Sequence, residues 1–215
     1  MSFLNQLKSQ AHALQDQRGT SQRGLEENTA RTENASRVVR DYLDDLARQL
    51  NVIEPPAPRF TLDGRTPWPA MKLIDFRVDA RRKMLRGHEA FDYVAMGWRV
   101  VPRVGQAVSS IVRVNFPPDL QRVESRLMMG PVKHERREVR HPEKNSLLAF
   151  EFEYLTQTRG SVTVTPDHDK GVLAFRVMNG SGFGIVQKSF AAGNVNTGLM
   201  DELAKLLVDQ PNGFA

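Results

Sequence analysis

The chain has 215 residues, of which 26% are charged and 40% hydrophobic, with a formal net charge of +5 and no cysteine. That balance fits a soluble globular domain with an appendage, and the missing cysteine excludes disulfides, thiolate zinc sites, iron–sulfur clusters and cysteine nucleophiles. The charge is uneven: residues 56–146 carry 18 Lys/Arg against 10 Asp/Glu, while both flanks are slightly acidic.

The N-terminus, MSFLNQLKSQAHALQDQ, has no basic stretch followed by an apolar core. No run reaches the roughly 18 apolar residues that span a bilayer. The expected location is the cytoplasm, with no membrane span.

Apolar or small residues then recur in one heptad frame: Leu4, Leu7, Ala11, Leu14, Leu25, Ala35, Val39, Tyr42, Leu46 and Ile53. This pattern predicts a coiled-coil-like helical arm over 1–54, as two helices (about 3–17 and 24–51) or one long bent helix, weakened near Gly19 and Gly24. Leu25, Val39, Tyr42 and Leu46 are its candidate self-association or partner-docking residues.

Residues 55–69 read as a Pro-rich linker, with a turn at Asp63-Gly64 and Trp68 as an anchor onto the next domain. From residue 70 to 215 the period falls to two and predicts a mostly antiparallel β domain of about eight strands. ARRKMLRGHEA reads as a basic hairpin end or short excursion between the first two strands. A short helix over 119–129 interrupts the strands, with Asp119 as N-cap and Gly130 after its end. Val195, Leu199, Leu203 and Leu206 predict a C-terminal helix packed on the sheet, and Phe214 is placed to fold back. The fold class is therefore α+β.

VKHERREVRHPEK, residues 132–144, holds ten ionisable side chains among thirteen. As a strand it has no apolar face, so it predicts a solvated edge whose charges discourage association and pair with Glu151 and Glu153 of the next strand. Its alternative is an anion or nucleic-acid site made by Arg136, Arg137 and Arg140 with Arg81, Arg82 and Lys83. That alternative lacks the interleaved aromatics that stack on bases.

No metal is assigned. His134, His141 and His168 lack the spacing of common zinc motifs, and His168 is taken as an exposed turn residue. Asp167 and Asp169 begin a calcium-like loop, but Met178 stands where its closing glutamate belongs, so Gly171 is read as a hairpin glycine. Gly180, Gly182 and Gly184 precede a strand where a dinucleotide loop precedes a helix, Ser181 sits in no nucleophile elbow, and Glu151 and Glu153 are read as solvent-facing. No catalytic residue and no cofactor are assigned. The resulting expectation is a non-catalytic interaction or assembly module, whose arm binds a second copy or a protein partner. The alternatives are the anion site and an apolar-ligand carrier with a pocket between sheet and helix.

Overall fold

The computed structural model describes residues 3–214, with side chains from Gln22 onward and, before that, at Lys8 and His12. A helix, α1 (Phe3–Ile53), is followed by the strands β1 (Met71–Leu85), β2 (His88–Pro102) and β3 (Ser109–Val114). Next come α2 (Pro117–Met129), β4 (His134–Arg140), β5 (Leu147–Leu155), β6 (Thr158–Asp167), β7 (Val172–Met178), β8 (Ile185–Ala191) and α3 (Thr197–Leu207). The architecture is α+β. All strand pairs are antiparallel, in a five-stranded sheet ordered β1-β2-β6-β7-β8 and a three-stranded sheet ordered β3-β5-β4. Among the described residues, no helix is long and apolar enough to cross a membrane.

The two sheets follow one another along the chain, β2 leading to β3 and β5 to β6. Thr156, between β5 and β6, donates its N–H to Val108 O at 3.0 Å and accepts from Val108 N–H through its hydroxyl at 3.1 Å. The paired strands thus run on from one sheet into the other.

One face of the large sheet carries the core. Alternation places Val94, Met96, Trp98 and Val100 of β2, Val162 and Val164 of β6, and Leu173, Phe175 and Val177 of β7 on that face, all buried. α1 and α3 cover it. The buried stripe of α1 is Thr32, Ser36, Val39, Leu43, Ala47 and Leu50, spaced by three and four residues. This corrects the heptad frame. Tyr42 and Leu46 are only half-buried, and Ile53 is 65% exposed. A helix lying on a sheet keeps its natural 3.6-residue period, whereas a 3.5-residue seam needs a supercoiled partner.

α1 is a single helix across Gly19 and Gly24. Leu4, Leu7, Ala11 and Leu14 lie outside the described side chains. The stretch 54–69 packs closely, with Phe60, Leu62 and Trp68 buried and Trp68 stacked against Tyr154 at 5.9 Å. Phe214 does fold back, wedged against Phe175 and Phe190.

β1 solves a conflict in its own pattern. Leu73 lies in phase with Asp75 and Arg77, yet both Leu73 and Phe76 are buried. A bulge between Ile74 and Arg77, with Asp75 at φ +56°, shifts the phase by one residue. The Asn51 side chain serves the backbone freed there, donating to Phe76 O at 2.9 Å and accepting from Phe76 N–H at 2.8 Å.

Of the two readings of ARRKMLRGHEA the hairpin end holds, and one local expectation is corrected. ARRKMLRGHEA is no excursion: β1 and β2 run through it to a two-residue turn at Arg86-Gly87, both at positive φ, the geometry that matches strand twist. Asp119 does not cap α2. The N-cap position is Phe116, two prolines fill the first turn, and Asp119 pairs with Arg122 at 2.7 Å.

Candidate functional site

The charged stretch folds as β4, the edge of the three-stranded sheet, with only Val139 among its residues partly covered. Arg137 stands opposite Glu151 and reaches Glu153 at 3.4 Å and Glu135 at 3.1 Å. Arg140 pairs with Glu138 at 2.6 Å. Arg136 crosses to Glu124 of α2 at 2.7 Å and lies 4.1 Å above the Phe150 ring. The other proposed anion ligands belong to the opposite sheet. Arg81 and Lys83 both meet Asp92, at 3.8 and 3.0 Å, and Arg82 meets Glu33 at 3.6 Å while covering Phe91. All six cations thus have internal carboxylate partners, and they sit in two groups on separate sheets.

The same holds for the acidic candidates. Glu151 accepts from Arg113 at 2.9 Å, and Glu153 from Ser109 at 2.8 Å and from Arg137. These are structural ion pairs of the small sheet.

Of the four arm residues, Val39 is fully buried against the chain's own sheet. Tyr42 and Leu46 pack at the core's margin, with Tyr42 Oη donating to Asp201 of α3 at 2.6 Å. Burial, that hydrogen bond and the Asp201 charge together push the Tyr42 phenol well above its ordinary range. Leu25 is half-buried, and residues 22–24, 26 and 27 around it are exposed. The first described hydrogen bond from α1 to the β domain is made by Asn28, which donates to Asp169 O at 2.8 Å, followed by Thr29, whose hydroxyl accepts from Arg86 at 2.9 Å.

His168 is buried, which corrects its placement as an exposed turn residue. Its Nε2 lies 2.8 Å from Phe91 O, which can only accept, so Nε2 carries a proton. Nδ1 then shares a hydrogen bond with the fully buried Thr32 hydroxyl at 2.7 Å. Beside it, Glu33 accepts from Phe91 N–H at 2.6 Å. This small network ties α1 to β2 and to the β6–β7 turn, and it occupies both ring nitrogens. His134 uses Nδ1 on Val132 O, and His141 caps its own turn. Among the described residues, no group of three His, Cys, Asp or Glu side chains is arranged to hold a metal.

Three of the turn glycines have structural reasons. Gly171 and Gly182 take positive φ in the turns after β6 and β7, and a side chain at Gly180 would press on Val177. The space between the large sheet and its two helices is filled by fully buried side chains such as Leu43, Met96, Val162 and Met200.

The feature missed in the sequence lies on the other face of the large sheet, which no described helix covers. There Arg77 of β1, Gly97 and Arg99 of β2, and Arg159 and Ser161 of β6, with Lys133 from the approach to β4, surround an open depression of about 840 Å³. Arg77, Gly97 and Ser161 form one cross-strand row, and Arg99 stands directly opposite Arg159 in the next. Arg99 pairs with Asp75 at 2.9 Å. Among the described residues, Arg77, Lys133 and Arg159 have no carboxylate within 4.0 Å. Alternation alone would have put Arg77, Arg99 and Arg159 on polar faces, but only strand order brings three separated segments together.

No known protein family matches the chain, and neither a curated protein nor a solved structure matches it.

Proposed function

We infer that the protein is a non-catalytic interaction module whose N-terminal helical stretch joins it to a second copy of itself. The observation that carries this is the reach of α1. The helix begins at Phe3, whereas its first described hydrogen bond to the β domain is at Asn28 and its described buried stripe starts at Thr32. At 1.5 Å per residue, the part before Asn28 measures roughly 37 Å. Most helical stability in proteins comes from packing of an apolar face and two glycines weaken this stretch, so packing along an apolar seam is the expected source of its stability. Leu4, Leu7, Ala11 and Leu14 supply such a seam, in the 3.5-residue period that suits a helical partner.

The division of labour follows from period. The described C-terminal part of α1 keeps the 3.6-residue stripe and serves its own sheet, while the heptad leucines of the N-terminal sequence are proposed to serve association. The test keeps the chain whole. Leu7→Asp with Leu14→Asp is expected to reduce an assembly to the 24.3 kDa chain in sedimentation equilibrium, with thermal unfolding of the β domain unchanged. A wild-type protein that sediments at the single-chain mass at high micromolar concentration would refute the reading.

A further inference from the structure

We propose that the open face of the large sheet is a binding site for a chain of two or more phosphoryl groups, held over Gly97 by Arg77, Arg99, Arg159 and Lys133.

Three observations converge on it. The first is a charge imbalance: Arg77, Arg99, Lys133 and Arg159 line the depression against one carboxylate, Asp75. The arginines conspicuous in the sequence are consumed by internal ion pairs, whereas Arg77, Lys133 and Arg159 have no carboxylate partner among the described residues. The second is an arrangement that costs the fold something. Arg99 and Arg159 are direct cross-strand neighbours, and like charges so placed repel. Asp75 relieves Arg99 alone. A bound anion would relieve both.

The third is Gly97. Its φ is not in the left-handed region, and a Cβ there would meet nothing nearer than Gly160 O at 3.9 Å. Neither backbone nor packing calls for glycine in the middle of this strand, where it weakens the ladder. What its missing side chain does is lower the floor of the depression between the cations. Gly160, by contrast, is explained by packing, since a Cβ there would overlap the Trp98 indole.

The ligand class follows from the donors and their spread. Guanidinium groups match phosphate oxygens with paired N–H donors, and Ser161 adds a hydroxyl in the same row. Arg77 and Arg159 sit on strands either side of β2, roughly 10 Å apart across the sheet, which is wider than a single phosphate. No exposed aromatic ring lines the depression among the described residues: Trp98, which borders it, is 3% exposed, and Tyr93 is not part of the lining. The site therefore grips phosphates and offers nothing for a base to stack on. A linear polyphosphate and the tail of a nucleoside triphosphate share this chemistry.

The test is calorimetric titration of the full chain with tripolyphosphate, ATP and a single-stranded oligonucleotide at low and moderate salt. Tripolyphosphate is expected to bind, and to weaken steeply with salt. Arg77→Gln with Arg159→Gln, and separately Gly97→Val, should each weaken it at least tenfold, while Arg136→Gln with Arg140→Gln leaves it unchanged. Thermal unfolding separates this from damage to the fold: Arg159→Gln and Gly97→Val should hold or raise the Tm as they lose binding. Equal affinity for tripolyphosphate and ATP favours a polyphosphate chain, and tighter ATP a nucleotide tail; either supports the site. Binding of the oligonucleotide without tripolyphosphate, no binding of either, or full affinity in Gly97→Val would overturn it.

Discussion

Leu43→Ala asks whether the apolar stripe of α1 serves the chain's own core or a partner. Leu43 is 0% exposed and lies between Val39 and Ala47, which are also buried, with the sheet opposite. Truncation removes its transfer energy and leaves a cavity that a helix pinned at both ends cannot close, since Asn28 is bonded to Asp169 and Asn51 to Phe76. A cost of about 3 kcal/mol follows, within the ~2–5 kcal/mol range of buried Leu→Ala changes. With a urea dependence of about 2–3 kcal/mol per molar for a chain this size, the unfolding midpoint should fall by roughly 1–1.5 M. The fall should be the same at every protein concentration, because the lost contacts are within one chain. Ile53→Ala is the control: it lies on the heptad frame but is 65% exposed, and should change stability by less than about 0.5 kcal/mol. A Leu43→Ala shift that grows on dilution, or one matched by Ile53→Ala, would mean that the stripe packs against another chain and that the argument from helical period is wrong.

Two further outcomes are expected. Gly160→Ala should destabilise the fold by about 1–3 kcal/mol and change the tryptophan fluorescence, because its Cβ must displace the Trp98 ring from a full core. Asp63 should make the 61–66 turn acid-sensitive. Burial pushes its carboxyl up, but donation from the N–H groups of Arg65 and Thr66 and from the Thr66 and Thr61 hydroxyls outweighs burial and holds it at about 2, against an ordinary 3.8. Since the folded value is the lower one, the turn's contribution is complete above about pH 4 and drains away as pH falls towards 2. Asp63→Asn should flatten stability across that window in acid unfolding followed by circular dichroism.

Much of the architecture was legible because strand alternation and helical stripes are local. The edge character of β4 and its pairing with the glutamates of β5 followed from residues 132–153 alone, since a strand with no apolar face has only an edge to occupy. A hairpin end is one of the two readings of ARRKMLRGHEA, but the position of its turn at Arg86-Gly87 was not legible, because arginine is not a residue that usually signals a left-handed turn position. His168 was misplaced for a related reason: a histidine between two aspartates in a turn looks solvated until Thr32, far away in sequence, closes over it.

By itself, the sequence determined the α+β class, the order of elements and the absence of any cysteine chemistry, because composition and periodicity act within a few residues. Only the tertiary structure decided which cations are spent and which are spare. Ion pairing depends on strand order and on which face each residue takes. A one-residue bulge at Asp75, invisible to alternation, lets Leu73 and Phe76 both enter the core while Arg77 stays outward beside Gly97.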